Sequence, residues 1–368
     1  MARAGLTPEW SCAFANDFDL KKSATYRSNW LGDELLTADV RKVTLVDLPA
    51  ITPDLVWASF PCQDLSLAGG GAGLRGDRSG AFWPFWSIVQ DLVEADRSPT
   101  IIALENVGGA LTSHRGRDFS AIVAAFSKLG YRTGAMVIDA ELFVPQSRPR
   151  LFFICVKADH PLRSGFTSDG PSDAWHTPSL MRAHEMLGVD LQRDWIWWAM
   201  DPPRSRKTGL IDIIEEHPTS VAWHSSEETS RLLRMMVPLH RRKVDRAVQS
   251  GRRHVGAIYR RTRPGPDGEP IQRAEVRFDD VSGCLRTPTG GSSRQLLLIV
   301  DGNQIRSRLI SARETARLMG LPDSYLLPAR YNEAYHLTGD GVVAPLVRHL
   351  SNQLLLPLIQ GIRARIAA

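Results

Sequence analysis

Long apolar runs, paired cysteines and internal repeats are all absent from this 368-residue sequence. The four cysteines lie far apart and form no CxxC pair, which argues against a zinc site and a disulfide framework, so we expect no metal. No apolar run reaches the length of a membrane span, and the N-terminus shows no signal-peptide core. We therefore expect a protein without a membrane anchor, in a reducing cytoplasm.

Net charge is also low, at +5, but it is unevenly distributed. Residues 231–263 contain eleven Lys and Arg residues and one acid, so the rest of the chain is net acidic. A run such as Arg241, Arg242 and Lys243 is by itself typical of a solvated helix face. The length and arginine content of the whole window instead predict a polyanion partner bound through phosphate or guanine.

The order of predicted elements indicates an α/β protein with two domains. Apolar strands alternate with amphipathic helices as far as residue 157. Residues 158–299 are rich in Trp, Pro and Arg and show no clear strand pattern until an apolar run at 296–300. A capped helix from Ser311 to Gly320 follows, and the segment 339–345 then leads into a long apolar helix predicted from Leu346 to Ile366. We expect one domain from 1–157 with 300–368, and a second from 158–299.

Reactive side chains follow two of the predicted strands. An apolar run at 56–60 ends at Pro61, which cannot donate to a strand ladder, and Cys62 comes next. Glu105 lies near the end of the run 99–107. Open α/β sheets bind ligands at the carboxyl ends of their strands, so Cys62 and Glu105 are a candidate nucleophile and acid. A buried structural thiol remains an alternative for a lone cysteine.

Two further acids, Asp17 and Asp39, follow strands predicted at 11–17 and 35–40. Carboxylates there suit the hydroxyls of a nucleoside, although helix caps and turns use the same residues. The glycine-rich segment 69–80 predicts a mobile lid, or else a plain flexible loop.

Arg148 and Arg150 lie two residues apart in a proline-restrained segment. Side chains at this spacing in an extended chain point to the same side, so the pair predicts a clamp for an anionic or carbonyl-rich ligand. A solvated turn is the alternative.

Six motifs follow one another along the chain. They are Phe60-Pro61-Cys62-Gln63, Asp77-Arg78-Ser79-Gly80-Ala81-Phe82, Glu105-Asn106-Val107, Gln146-Ser147-Arg148-Pro149-Arg150, the helix motif from Arg308 to Asp323, and Gly339-Asp340-Gly341-Val342. In this order and spacing they resemble the motifs of the DNA cytosine-5 methyltransferase family. The last is usually Gly-Asn-Ser-Val, so its Asp and second Gly are a departure. The resemblance covers essentially the whole chain apart from the variable second domain. It implies a Rossmann-like S-adenosylmethionine-dependent methyltransferase sheet with an inserted, irregular target-recognition domain.

The resemblance also implies a reaction. A methyl group would pass from S-adenosylmethionine to C5 of a cytosine flipped out of a specific duplex DNA sequence. Cys62 would attack C6, Glu105 would hydrogen-bond the base, and Arg148 and Arg150 would hold its O2 side. We expect a monomer in the bacterial cytoplasm that binds double-stranded DNA, with a cognate restriction endonuclease as a functional partner.

Further site residues come from the resemblance and from the distribution of charge. The implied cofactor-binding residues are Asp17, Phe18, Asp39, Val40, Phe60, Pro61, Phe82, Asp340 and Gly341. The predicted DNA-binding residues are Gln63, Ser66, Arg78, Gln146, Arg241, Arg242, Arg260, Arg261, Arg263, Ser292, Ser293 and Arg294, of which the last three lie in a polar loop suited to phosphate contacts.

One departure concerns the start of the sequence. Members of the family begin with a strand and a Phe-x-Gly-x-Gly turn, whereas residues 1–6 look like the helix that follows that turn. We expect a start codon assigned too late, or a truncated gene, because loss of a central strand leaves unpaired backbone on two neighbours. Two alternatives stay open: a DNA-binding remnant without catalysis, and an RNA cytosine-5 methyltransferase, which the lack of a Cys-Phe-Thr motif disfavours.

Overall fold

The computed structural model describes residues 1–60, 81–162, 165–265, 267–287 and 294–366. The chain folds into two compact units. Unit 1 comprises Met1–Gly5, Ala140–Arg148 and Pro203–Pro345, and unit 2 comprises Leu6–Asp139, Pro149–Pro202 and Leu346–Ala368. The chain therefore passes from one unit to the other at positions that differ from the predicted domain boundaries. The roles predicted for the two domains, catalysis and target recognition, remain predictions.

The described residues contain the following regular elements. The strands are β1 (Ala15–Asp17), β2 (Leu35–Thr37), β3 (Leu55–Ser59), β4 (Ile101–Val107), β5 (Tyr131–Asp139), β6 (Pro149–Lys157), β7 (Thr167–Ser168), β8 (Trp197–Trp198), β9 (Arg253–Pro264), β10 (Pro270–Arg277), β11 (Leu296–Asp301) and β12 (Gln304–Leu309). The helices are α1 (Ala2–Leu6), α2 (Leu20–Asn29), α3 (Phe82–Glu94), α4 (Arg117–Lys128), α5 (Pro178–Glu185), α6 (Val189–Arg193), α7 (Ser226–Arg234), α8 (Pro238–Gln249), α9 (Ala312–Leu318), α10 (Tyr331–Asp340), α11 (Ala344–Leu350) and α12 (Leu356–Ile366).

Unit 2 is built on a four-stranded sheet in the order β3-β4-β6-β5. Strands β3 and β4 run parallel, whereas β6 is antiparallel to β4 and to β5. The middle strands are almost continuously apolar and buried, which is typical of a sheet covered on both faces. The core includes aromatic side chains of α3 and α4, among them Trp86 and Phe126, whose rings meet edge to face at 5.1 Å.

Strands β1 and β2 form a separate two-stranded parallel sheet, with Asp17 opposite Thr37. Within the described ranges neither strand pairs with the four-stranded sheet, and β3 pairs on one side only. Residues 55–58 of β3 are accordingly half-buried, whereas 101–104 of β4 are buried. The strands predicted around Asp17 and Asp39 are thus confirmed, but each is only three residues long.

Unit 1 is built on an antiparallel sheet in the order β10-β9-β11-β12. Its core combines Ile258, Val276 and Leu298 of the sheet with Leu233 of α7 and Val244 of α8. The predicted strand at 296–300 is confirmed as β11. The lack of a strand pattern further upstream was misleading, because β9 and β10 lie there.

Helix α9 begins at the predicted serine cap. The Ser311 hydroxyl accepts from the Glu314 backbone N–H, and the Glu314 carboxylate accepts from the Ser311 N–H. The same carboxylate accepts from Arg308 at 2.7 Å, and both side chains of this ion pair are 0% exposed. The long helix predicted from Leu346 to Ile366 is confirmed: α11 begins at Ala344, a π-helical turn spans Ser351–Leu355, and α12 ends at Ile366.

Among the described residues, one helical stretch, 331–364, is long and apolar enough to cross a membrane, and 61% of its most apolar window is buried inside the protein. Core helices of soluble proteins share this length and composition, so the stretch is weak evidence for a membrane.

Candidate active site

Glu105 and Arg150 form a shielded ion pair on two neighbouring strands of unit 2. Arg150 Nε lies 3.1 Å from Glu105 Oε1, and the side chains are 13% and 9% exposed. In the antiparallel register Arg150 is opposite Val107, two residues beyond Glu105, so both side chains lie on the same face of the sheet. The guanidinium therefore fixes the orientation of the carboxylate, as a hydrogen-bonding site for a polar ligand requires.

The register also relates Glu105 to the nucleophile candidate. Ser59, the last residue of β3, is the parallel partner of Glu105, and Cys62 follows Ser59 by three residues along the chain. The carboxyl end of β3 therefore lies beside the ion pair. Cys62 itself lies outside the described residues, as do Pro61, Gln63, Ser66, Arg78, Ser292 and Ser293.

Asn106 adds a buried polar group that the sequence analysis did not assign. Its side-chain oxygen accepts from the Val107 N–H at 2.8 Å, and the residue is 2% exposed. The amide nitrogen is buried and has no hydrogen-bond acceptor among the described residues. Its place between Glu105 and Val107 in a recognised motif was the only sequence signal for it.

The candidate cofactor residues lie at the carboxyl ends of β1 and β2: Asp17 is the last residue of β1, Phe18 follows it, and Asp39 and Val40 come shortly after β2. Asp17 accepts from the Asp19 N–H at 2.8 Å, and the Phe18 side chain beside it is 70% exposed. Asp39 accepts from the Arg41 N–H at 3.0 Å and caps the short 3₁₀ turn Val40–Lys42, with 44% of its side chain exposed. Two part-exposed carboxylates and an exposed ring at the carboxyl edge of a parallel strand pair fit the hydroxyls and base of a nucleoside.

Phe60 and Phe82 come together, but inside the apolar core. Their ring centroids are 5.6 Å apart, and they are 8% and 0% exposed. The ring of Phe82 also contacts those of Trp83, Trp86 and Phe126. The predicted contact of Phe82 with the cofactor is therefore wrong, and Phe82 is a core residue. It lies in the first turn of the amphipathic helix α3, on the face that packs against the core.

Arg148 is buried among backbone carbonyls, in surroundings different from those of Arg150. Its side chain is 2% exposed and donates to the backbone carbonyls of Leu285, Gly339 and Gly341 at 2.7–2.8 Å within unit 1. We therefore reassign Arg148 from the base-binding clamp to a structural role. Gly341, predicted to bind the cofactor, is one of the residues that Arg148 holds.

Asp340, the other cofactor candidate of this segment, is the last residue of α10 and hydrogen-bonds the Thr287 hydroxyl.

Gln146 is corrected in the same way. It is 0% exposed, its amide nitrogen donates to the Leu318 carbonyl at 2.8 Å, and its amide oxygen accepts from the Leu285 N–H at 3.0 Å. Both ends of the amide are thus engaged with buried backbone, which is incompatible with the predicted contact to DNA. Motif spacing alone does not distinguish a side chain that meets a ligand from one that ties loops together.

Apart from Arg78, which lies outside the described residues, the predicted basic DNA contacts lie on unit 1. Arg241 and Arg242 are exposed on α8, and Arg241 pairs with Asp245 at 3.4 Å. Arg294 donates to the Asn332 side chain at 2.7 Å. The others, Arg260, Arg261 and Arg263, lie in the outer half of β9.

The fold of the chain is that of known methyltransferases. The Schizosaccharomyces pombe (S. pombe) Dnmt2 methyltransferase has a TM-score of 0.56 and 17% identity, covering 95% of this chain and 91% of that chain. The Entamoeba histolytica methyltransferase EhMeth has a TM-score of 0.54 and 11% identity, covering 94% and 88%. These similarities confirm the predicted Rossmann-like α/β class.

The chain belongs to the family described as C-5 cytosine-specific DNA methylase, whose sequence model matches residues 1–355. The Type II methyltransferase M.NlaX of Neisseria lactamica is 24% identical over 344 residues, which are 93% of this chain and 88% of that protein. M.HpaII of Haemophilus parainfluenzae, another Type II methyltransferase, is 24% identical over 365 residues, covering 94% and 83%. The predicted family and enzyme class, DNA cytosine-5 methyltransferase, are confirmed.

Proposed function

We propose that this chain transfers a methyl group from S-adenosylmethionine to C5 of a cytosine within a specific sequence of duplex DNA. The observation that carries the proposal is the shielded Glu105–Arg150 pair beside the strand end that leads to Cys62. A base enclosed in a duplex cannot reach such a site, so the target cytosine has to leave the stack, at a cost of a few kcal/mol.

The residues divide the reaction between them. The Cys62 thiolate forms a bond to C6 of the cytosine, which makes C5 electron-rich enough to accept the methyl group. Glu105 hydrogen-bonds the N3 and amino side of the ring and offsets the charge that develops there, while Arg150 holds Glu105 and the O2 side. After methylation C5 gives up its proton to water, the C6–sulfur bond breaks, and Cys62 returns as a thiolate.

The bound cofactor supplies the methyl group. Asp17 and Asp39 would hold its ribose and adenine from the ends of β1 and β2, and exposed Phe18 would cover the base. Phe60, which is 8% exposed, would line the cofactor pocket from the side of the core.

We further propose a monomer acting on DNA in the bacterial cytoplasm, in functional partnership with a restriction endonuclease. The relatives named as Type II methyltransferases support the partnership.

The adduct is tested with a duplex in which 5-fluorocytosine replaces cytosine, because fluorine at C5 cannot leave as a proton and the C6–sulfur bond then persists. The purified chain with S-adenosylmethionine should give a covalent protein–DNA band on a denaturing gel, and Cys62→Ser should give none. Cys155→Ser is the matched control, since that thiol is buried and burial raises its pKa to about 12, so the band should persist. Full methylation by the Cys62→Ser variant would refute the mechanism.

A DNA-binding protein without catalysis is the second candidate, and the separation of β1–β2 from the four-stranded sheet favours it. The two candidates differ in cofactor binding. Calorimetric titration with S-adenosylmethionine should give saturable heat for the enzyme and none for the non-catalytic protein.

A further inference from the structure

The hairpin of β9 and β10 presents two different faces. Alternate residues of a strand point to opposite sides, and residues directly across a ladder share a side. Ile258 is opposite Val276, and both lie in the core of unit 1. The other face carries the side chains one step along: Tyr259 opposite Glu275, Arg261 opposite Arg273, and Arg263 opposite Ile271. This second set of side chains is called the arginine face.

Carboxylates on the arginine face neutralise it only in part. Glu275 pairs with Arg263 at 2.8 Å and with Arg261 at 3.5 Å, so one carboxylate serves two guanidinium groups. Arg277, at the inner end of the same face, is held by Asp279 at 2.6 Å.

Arg273 has no carboxylate or hydrogen-bond partner among the described residues and lies directly across from Arg261. Like charges in that position destabilise a sheet, because their side chains are close together. Arg273 is half-buried. Its charge has no counter-charge among the described residues and can therefore bind an external anion.

The shape of the β9–β10 hairpin indicates which anion binds to it. A two-stranded antiparallel ribbon fits the major groove of B-DNA, and arginine is the side chain that most often reads guanine there, through O6 and N7. Glu275 holds Arg261 and Arg263 in place, which leaves the guanidinium of Arg273 to contact a base. Near Ile258 and Val276 the opposite face packs against the core of unit 1. The arginine face carries Arg261, Arg263 and Arg273 where β9 extends beyond its pairing with β11, so it is the better fit to an anionic groove.

We propose that the arginine face of β9–β10 enters the major groove of the target duplex and that Arg273 reads a guanine in the recognition sequence. The proposal rests on duplex DNA being the substrate, as proposed above, and adds the element and residue that select the sequence. No sequence motif marks Arg273 or Glu275, and only the cross-strand register places them beside Arg261 and Arg263.

The test uses binding, so that it does not depend on methyl transfer. The full chain is incubated with a pool of duplexes carrying a randomised central segment, and the retained duplexes are sequenced. Wild type should enrich a motif that contains guanine. Arg273→Ala should lose preference at one guanine position by roughly 5- to 150-fold and keep it at the others.

Two other variants serve as controls. Arg242→Ala, on the exposed face of α8, should weaken binding to all duplexes alike, as loss of a phosphate contact does. Arg193→Ala, in unit 2 and paired with Asp190, should change nothing. Arg273→Lys keeps the charge and the stem but cannot form the two-pronged contact, so it should lose part of the same preference if Arg273→Ala fails to fold.

Three results overturn the inference: an unchanged motif in both Arg273 variants, uniform weakening on all sequences, or no motif enriched by wild type. If a motif is enriched and depends on Arg273 while no methylated cytosine is ever found, the inference stands and the proposed enzymatic function fails. If methylation occurs and its site is unaffected by Arg273→Ala, the function stands and the inference fails.

Discussion

Two arginines of one motif, Arg148 and Arg150, differ completely in their surroundings. Arg150 pairs with a carboxylate, whereas Arg148 donates to three backbone carbonyls. A guanidinium has five donors and no acceptor, so either environment satisfies it, and sequence alone does not say which one a given arginine has. The surroundings of Arg148 remove it from the predicted catalytic set, and Cys62, Glu105 and Arg150 remain as predictions.

The substitution Glu105→Gln removes the negative charge of the side chain and keeps its shape. We expect Glu105→Gln to lower kcat by about 10²–10³, because the amide no longer offsets charge that develops on the ring. Single-turnover methylation of a duplex substrate measures the effect. Asp54→Asn is the matched control, since Asp54 forms an exposed pair with Arg363 in the same unit, and its rate should stay near wild type. Equal rates for Glu105→Gln and wild type would exclude Glu105 from the chemistry.

The buried pair Arg308–Glu314 predicts a stability effect. Glu314→Gln should lower the free energy of unfolding by about 3–5 kcal/mol, because it leaves the Arg308 charge buried without its counter-charge. Urea unfolding followed by circular dichroism gives the value. Asp323→Asn breaks the exposed pair with Arg317 and should cost about 0–1 kcal/mol. Similar losses of unfolding free energy in the two variants would show that burial does not make the Arg308–Glu314 pair more important for stability than an exposed pair.

At the scale of elements, long periodic segments were predictable and charged strands were not. Helix α3 runs from Phe82 to Glu94, the bounds that its apolar period predicts. The β9–β10 hairpin escaped prediction because arginines at 260, 261 and 263 occupy both faces where the strand leaves the core, which erases the two-residue alternation. Its edge position makes those charges tolerable.

Strands β1 and β2 should be much less protected than the middle of the main sheet. They pair only with each other in the described structure, whereas β4 pairs on both sides and is buried. Local opening of a short two-stranded sheet is cheap, because few contacts are lost. Hydrogen–deuterium exchange should label peptides of β1 and β2 long before those of β4 and β6. Equal protection of all four strands would show that another element covers β1 and β2.

At the scale of the whole molecule, burial in unit 2 determines which histidines have a shifted pKa, and neither the sequence nor any single helix or strand shows this. Burial lowers the pKa of four histidines there, which come from two separate segments of the chain, Pro149–Pro202 and Leu346–Ala368. They are His160, His176, His184 and His349. The ring of His184 packs on those of Trp195 and Trp197 at 5.2 and 4.7 Å, which leaves little room to hydrate a charged imidazole.

These pKa shifts predict that unit 2 loses stability on acidification. A histidine whose folded pKa is below the ordinary value of 6.5 binds its proton more readily when unfolded, so its contribution is complete above pH 6.5 and is lost as the pH falls. Nine of the ten tryptophans lie in unit 2, so tryptophan fluorescence reports on that unit. The urea midpoint should be lower at pH 5.5 than at pH 7.5.

The decisive comparison is the double variant His176→Phe/His184→Phe, which removes two of the titrating groups and keeps ring-sized side chains against the tryptophans. The difference between its urea midpoints at the two pH values should be smaller than in wild type. Asp19 of unit 2, whose pKa is lowered, does not contribute in this window, because a lowered carboxyl pKa changes stability only below the ordinary value of 3.8. If the urea midpoint of the double variant changes between the two pH values as much as that of wild type, groups other than His176 and His184 cause the acid sensitivity.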